Sequence, residues 1–164
     1  TCSEITSVLK RRHPQIKLVG VFVNSPVDDV KNILETCSLD LAQLHGDETP
    51  EIFAQLEPHV FKAFRGIPTD ATDYERNGVP AMLIDAAVKG VYGGSGVTAD
   101  WSAAAKLAKK YPLLLAGGLT PDNVADAVRR VKPWGVDVAS GVESAPGEKD
   151  ASKMKAFVQA VLNG

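Results

Sequence analysis

One carboxylate in the sequence stands where general acid catalysis would place it. Asp85 ends an apolar run and is followed within a few residues by the glycine-rich stretch 90–96. A carboxyl group partly removed from water keeps a proton available near neutral pH, and glycine loops of this kind close over substrates. The alternative is a helix cap or a salt-bridged loop residue. We take Asp85 as the candidate general acid.

Two further pairs of small residues could bind an anion. Gly117-Gly118 and Ser140-Gly141 follow the last two apolar runs of the chain. Glycines let backbone N–H groups approach phosphate closely, and the last two loops of a βα barrel commonly form such a site. Taken singly, each pair is more typical of a tight turn. Together they favour phosphate binding.

A histidine and an arginine follow two of the earlier apolar runs. His45 suits a hydrogen bond to a ligand better than the role of a base, and Arg65 can pair with a carboxylate of a ligand or of a neighbouring loop. The two cysteines, Cys2 and Cys37, lie at helix positions and lack metal-ligand spacing, so we expect reduced, non-catalytic thiols and no metal site.

These residues need strands to position them, and short apolar or β-branched runs supply six. Amphipathic stretches separate the runs, and the chain begins with a helix that stops before Pro14. Ser25, Thr49 and Thr120 each precede a proline, which predicts hydroxyl-capped helix starts. Because the strands are nearly all apolar, the sheet is expected to be buried on both faces. The predicted strands are 17–23, 39–44, 60–64, 81–84, 113–116 and 136–138.

The alternation of strands and helices predicts one α/β domain over residues 1–164 with a parallel sheet. Polar and glycine residues concentrate after the strands, at the edge where parallel βα folds bind ligands. A βα barrel needs eight strands, and six are predicted. From pattern alone a doubly wound open sheet is therefore a rival.

The composition limits the classes of molecule that this protein is expected to bind. The net charge is -2, with 45% hydrophobic and 23% charged residues, and there is no block of Lys or Arg. This excludes the electrostatic footprint of a nucleic-acid or anionic-membrane partner, and no apolar run approaches the roughly 20 residues of a membrane span. We expect a small-molecule ligand and a cytoplasmic protein.

Several motifs, in order, resemble the phosphoribosylanthranilate isomerase family of tryptophan biosynthesis. The resemblance covers the chain from about residue 17 onward, and the family is an eight-stranded TIM barrel. It implies that this segment supplies the third to eighth strands, with the first two strands absent. The matching stretches are VGVFVN at 19–24, LAQLHGDE at 41–48, LID at 83–85, GGSG at 93–96 with Asp100-Trp101, LAGGLTPDNV at 115–124 and VDVASGVE at 136–143 with PG at 146–147 and KD at 149–150.

The family activity is an Amadori rearrangement of N-(5-phosphoribosyl)anthranilate to the corresponding 1-deoxyribulose phosphate, without metal or organic cofactor. By resemblance, Asp85 protonates the furanose ring oxygen. His45, Arg65, Gly94 and Gly96 would contact the substrate. The phosphate would be held by Gly117, Gly118, Ser140 and Gly141.

The sequence departs from the family in its general base. The family carries a cysteine base in a Lys-Ile-Cys-Gly motif on the first strand, and this sequence contains no such motif; an arginine after the second strand is missing too. We therefore expect the chain by itself to be inactive or nearly so. The resemblance leaves open monomer or homodimer, fusion to indoleglycerol-phosphate synthase, and activity on the related histidine-pathway substrate. The alternatives are another phosphate-binding barrel enzyme and a non-catalytic sugar-phosphate binding module.

Overall fold

The computed structural model describes residues 1–76, 78–86 and 100–164. They form two compact units. Unit one comprises Thr1–Ala63 and Asp70–Gly78, and unit two comprises Phe64–Thr69 and Val79–Gly164. The prediction of a single domain over the whole chain stays a prediction.

The described residues form helices and parallel strands in alternation, as the sequence predicts. Each strand pairs with its neighbour in the chain, so the order of the sheet is β1-β2-β3-β4-β5-β6, and β3 begins in unit one and ends in unit two. The strands are β1 Val19–Phe22, β2 Leu41–Leu44, β3 Val60–Arg65, β4 Met82–Asp85, β5 Leu113–Ala116 and β6 Gly135–Val136, followed by a small antiparallel pair, β7 Glu143–Ala145 and β8 Glu148–Lys149. The helices are α1 Cys2–Arg12, α2 Val27–Thr36, α3 Pro50–Ala54, α4 Trp101–Ala108, α5 Val124–Val131 and α6 Ala151–Leu162.

The prediction that the sheet is buried on both faces is wrong for β1. Val19 and Val21 are 40% and 60% exposed, whereas Phe22 is 7% exposed. Strand β1 pairs with β2 along one edge, and no strand in the described part of the chain pairs with its other edge. Valine at these positions therefore faces solvent although the run reads as a buried strand.

The predicted hydroxyl caps are also wrong. Pro26, Thr49 and Asn123 stand at the cap positions of α2, α3 and α5, and none makes a side-chain capping bond. Proline still begins α3 at Pro50, because its fixed φ suits the first helical turn. Aspartate supplies a cap elsewhere: the Asp150 carboxylate accepts the N–H of Lys153 at 2.9 Å and starts α6.

The core of unit one lies where α2 and α3 pack on the sheet. Apolar residues spaced along the helices pack on the buried residues of β2 and β3, and Phe53 meets Tyr74 edge-to-face with 5.5 Å between ring centroids. The buried cluster consists of Phe22, Val30, Ala42, Leu44, Phe53, Leu56 and Val60.

In unit two the buried faces of α4, α5 and α6 accompany β4 and β5. Val124, Ala127 and Val131 recur at helical spacing on α5 and are all buried. Ile84 and Leu115, on neighbouring strands, are completely buried. This packing holds β4 and β5 in register. The candidate site lies directly after the carboxyl ends of these two strands.

Candidate active site

In unit two the carboxyl ends of β3, β4 and β5 are adjacent, and Asp85 ends β4, the middle strand of the three. Asp85 is the last residue of β4, is half-buried, and is in register with Ala116 of β5. Its carbonyl oxygen accepts the N–H of Gly66 at 2.7 Å, directly after the exposed Arg65 at the end of β3. Arg65, Asp85 and Gly117 therefore follow three successive strands at the same edge, as predicted.

The loop after β5 has the left-handed backbone that glycine permits. Gly117 has φ 99° and Gly118 has φ 64°. Asn123 fixes this loop, since its Nδ2 donates to the Gly118 carbonyl at 3.0 Å and its Oδ1 accepts the Thr120 N–H at 2.8 Å. The sequence-based prediction missed this role of Asn123, although a side-chain amide directly before an amphipathic helix is a recognisable signal.

The loop after β6 packs directly against the loop after β5. Ser140–Val142 forms a 3₁₀ turn, and a Cβ added at Gly141 would overlap the carbonyl oxygen of Leu119. Lys149 contacts the residues on either side of this turn. Its Nζ donates to the Ala139 carbonyl, just before the turn, at 2.8 Å and to Glu143 Oε1, just after it, at 2.7 Å. The sequence pattern gave no local signal for this role of Lys149, because β7 and β8 place the side chain.

The two loops can present backbone donors to an anion. Gly118 and Ser140 are exposed, and the N–H of Gly118 donates to no other residue among those that the structure describes. Helix α5 begins at Val124, so its positive end lies behind the loop after β5. Gly117, Gly118, Ser140 and Gly141 thus belong to one pair of touching loops, and Asp85 ends the strand next to β5.

His45 belongs to unit one and follows β2. Its backbone N–H donates to the Phe22 carbonyl at 2.8 Å, which ties the end of β2 to the end of β1. Gln43 Nε2 lies 3.2 Å from His45 Nδ1, within hydrogen-bonding distance. His45 is half-buried.

Two predicted site residues lie elsewhere. Gly94 and Gly96 fall outside the described residues. Cys2 is exposed on α1, and Cys37 follows α2 as its cap residue. In the described ranges neither cysteine follows a strand of the sheet.

The described ranges contain neither a cluster of metal ligands nor a membrane-spanning helix. No three His, Cys, Asp or Glu side chains come together there in a way that would hold a metal ion. None of the described helices combines the length and the apolar character that crossing a membrane requires.

Comparison with known proteins identifies the family to which this chain belongs. A family model described as N-(5'phosphoribosyl)anthranilate (PRA) isomerase matches residues 2–160. A relative named N-(5'-phosphoribosyl)anthranilate isomerase, from Roseiflexus sp. (strain RS-1), is 50% identical over 155 residues, which are 91% of this chain and 71% of that protein.

Solved structures agree. The phosphoribosyl anthranilate isomerase of Thermotoga maritima superimposes with a TM-score of 0.80 and 32% identity, covering 99% of this chain and 80% of that one. A phosphoribosyl anthranilate isomerase in complex with reduced 1-(o-carboxyphenylamino)-1-deoxyribulose 5-phosphate gives a TM-score of 0.77 at 29% identity, covering 99% and 78%. The chain belongs to the N-(5'-phosphoribosyl)anthranilate isomerase family.

Proposed function

We propose that this protein acts on N-(5-phosphoribosyl)anthranilate and isomerises it to 1-(2-carboxyphenylamino)-1-deoxyribulose 5-phosphate, a step of tryptophan biosynthesis. Family membership supports the activity. The observation that carries the proposal is the contact between the loops after β5 and β6, next to the strand end that bears Asp85. A phosphosugar needs an anion site and a proton donor held at a fixed distance, and we assign these roles to the two loops and to Asp85.

The chemistry assigned to Asp85 is proton transfer. Asp85 protonates the furanose ring oxygen as the C1–O bond breaks, and the anilino nitrogen lone pair forms the C1=N bond of a Schiff base. Loss of the C2 proton to a base then gives an enolamine, and its tautomer is the product ketone. Arg65 and His45 contact the anthranilate and sugar part of the ligand, as do Gly94 and Gly96, and no cofactor takes part.

The phosphate is assigned to Gly117, Gly118, Ser140 and Gly141. Their backbone donors, together with the start of α5, suit a dianion better than a neutral group. Glycine at 141 lets the loop after β6 approach the Leu119 carbonyl. The binding energy of the phosphate would thus hold the sugar in place while Asp85 acts on its ring.

The six strands are proposed to be equivalent to the third to eighth strands of the family barrel. Their number and the two phosphate loops after the last two strands support this assignment. The cysteine base of the family has no counterpart at a strand end here, since Cys2 begins α1 and Cys37 follows α2 as its cap residue. We therefore propose that turnover by this chain is lower by about two to four orders of magnitude, the usual contribution of a general base.

The test measures binding and turnover separately. Calorimetry with the reduced product analogue, 1-(o-carboxyphenylamino)-1-deoxyribulose 5-phosphate, reports on the site, and the fluorescence of phosphoribosylanthranilate reports on its conversion. Both are measured on this chain and on the chain joined to a segment that carries the family's Lys-Ile-Cys-Gly strand. Binding by both proteins with rapid turnover by the joined one supports the proposal; no binding and no turnover by either would contradict it.

The same experiment addresses the two alternatives. A non-catalytic sugar-phosphate binding module would bind the analogue in both proteins without turnover in either. Another phosphate-binding barrel enzyme would bind inorganic phosphate but not discriminate in favour of the anthranilate group.

A further inference from the structure

A buried ion pair in unit one lies beneath the loop that carries His45. Lys62 Nζ and Glu48 Oε2 are 2.7 Å apart, and the two side chains are only 6% and 1% exposed. Removing two charges from water is costly unless further hydrogen bonds satisfy both groups. The partners that satisfy this pair indicate what it does.

Most of those partners are backbone atoms of the loops after β1 and β2. The Glu48 carboxylate accepts the Gly46 N–H at 3.0 and 3.2 Å and the Asn24 N–H at 2.7 Å. Lys62 Nζ donates to the Gly46 carbonyl at 2.7 Å. The pair therefore holds Gly46 on both its N–H and its carbonyl side, directly after His45.

Asn24 completes this arrangement from the end of β1. Its Oδ1 accepts the Asp47 N–H at 2.7 Å, and its backbone has a left-handed φ of 53°. A Cβ at Gly46 would meet the Asn24 backbone nitrogen at 2.8 Å, so the two loops fit only with glycine at 46. Residues 45–47 are thus held on both flanks by groups that contact no ligand in our proposed mechanism.

We propose that Glu48 and Lys62 are positioning residues, which fix the backbone of residues 45–47 and so hold His45 in place for contact with the phosphosugar ligand. This inference rests on the proposed function. Buried ion pairs contribute little net stability compared with apolar replacements, so a network whose hydrogen bonds converge on one loop is better explained by the geometry it maintains. Gln43 fixes the ring of His45, and the Glu48–Lys62 pair fixes its backbone.

The chain contains a matched control at the other end of the same two strands. Asp40 accepts the Leu18 N–H at 2.8 Å and pairs with Lys10 at 3.1 Å. It therefore ties β1 to β2 with a carboxylate, as Glu48 does, but before the strands begin. Asp40→Asn and Glu48→Gln should both lower stability, and only Glu48→Gln should affect the loop that carries His45.

The first measurement uses the reduced product analogue and calorimetry. Glu48→Gln should weaken binding by about tenfold or more, because misplacing a contact group by a fraction of an ångström to an ångström has effects of this size or larger; Asp40→Asn should leave it within about twofold. Glu48→Gln/Lys62→Met, which removes both charges together, serves if Glu48→Gln folds poorly. In the His45→Ala background, adding Glu48→Gln should weaken binding no further. Additive losses, or equal losses for the Asp40 and Glu48 variants, would overturn the proposal.

The second measurement needs no ligand. Hydrogen exchange of the Gly46 and Asp47 amides should accelerate in Glu48→Gln and stay unchanged in Asp40→Asn. Unchanged exchange in Glu48→Gln would overturn the positioning role whether or not the analogue binds. Failure of the unsubstituted protein to bind the analogue, with fast exchange in Glu48→Gln, would contradict the proposed function and with it the role toward that ligand.

Discussion

At the residue scale, Asp85 stands at the point where sequence and structure agree most closely. Its place was predicted from one apolar run, because a strand that ends in a carboxylate next to glycines is visible without tertiary information. The structure adds that Gly66 and Ala116 flank it at the same level. The contacts of Lys149 were not predictable in this way, because its partner Ala139 lies ten residues away; Asn123 bonds within its own loop, and its signal was missed.

Asp85→Asn should lower the turnover rate far more than it lowers the affinity for the ligand. The amide keeps the size of the carboxyl group but cannot deliver its proton, so turnover should fall by about a hundredfold or more, while the reduced product analogue binds within a few-fold. The variant is measured in whichever protein of the turnover assay is the more active. Turnover within a factor of two of the parent would exclude Asp85 as the acid.

Gly141→Ala should act chiefly on the phosphate. The new methyl group would overlap the Leu119 carbonyl oxygen, so one of the two loops must move. The analogue should bind more weakly, and a form of the analogue without phosphate should bind nearly as before. Gly135→Ala is the control, since Gly135 begins β6, the strand before the loop that carries Gly141, and its Cβ would meet only the flexible Leu114 side chain, at 2.9 Å. Equal losses for both ligands would mean a general defect of the fold.

Glu48 should also affect how the stability of the protein depends on pH under acidic conditions. Burial raises the pKa of its carboxyl group, but the hydrogen bonds from Lys62 and the Asn24 N–H outweigh burial and hold the pKa below its ordinary value. A carboxyl with a lowered folded pKa contributes stability above its unfolded pKa and loses it as pH falls through the folded value. Urea unfolding between neutral pH and pH about 3 should therefore show a shallower acid loss in Glu48→Gln; an unchanged slope would contradict this.

At the element scale, strand β5 and the first helix were predicted almost to the residue, because each is a continuous run with a clear end. Strand β6 is shorter than predicted: it spans Gly135–Val136, and the following residues lead into the 3₁₀ turn at Ser140–Val142. The capping hydroxyls failed for a different reason. A serine or threonine before proline signals a helix start, but whether its oxygen reaches an N–H depends on the local backbone.

Asp150→Ala should lower stability, whereas Ser25→Ala should not. The Asp150 carboxylate makes the capping bond of α6, and loss of such a cap costs about 0.5–2 kcal/mol of unfolding free energy. Ser25 precedes α2, where the cap residue Pro26 makes no side-chain bond; a change below about 0.5 kcal/mol is expected there. Denaturant unfolding of the two variants measures both, and equal losses would refute the assignment of caps.

At the scale of the whole molecule, the sequence indicated a parallel α/β chain with its ligand groups after the strands, and the described residues form six parallel strands in that arrangement. The exposure of β1 cannot be read from its apolar run alone, because such a run carries no mark of whether a neighbouring element covers it. The predicted choice between monomer and homodimer, and fusion to another enzyme, stay predictions.

The open edge of β1 should govern self-association. An apolar strand edge with unpaired backbone groups invites pairing with another chain, and Val21 is its most exposed member at 60%. Val21→Lys should shift sedimentation toward the monomer and raise solubility. Met154→Lys, on the exposed side of α6 at 48%, adds the same charge away from the strand edge. If both variants act alike, net charge and not the edge is responsible.

The order of the strands in the sheet has a consequence for how the chain folds. From β1 to β6, each strand of the sheet hydrogen-bonds to its neighbours in the sequence, so no pairing has to wait for a strand from further along the chain. Each addition still closes a loop, and parallel pairings of this kind form slowly. The sheet is therefore expected to grow strand by strand, with loop closure limiting the rate of each step.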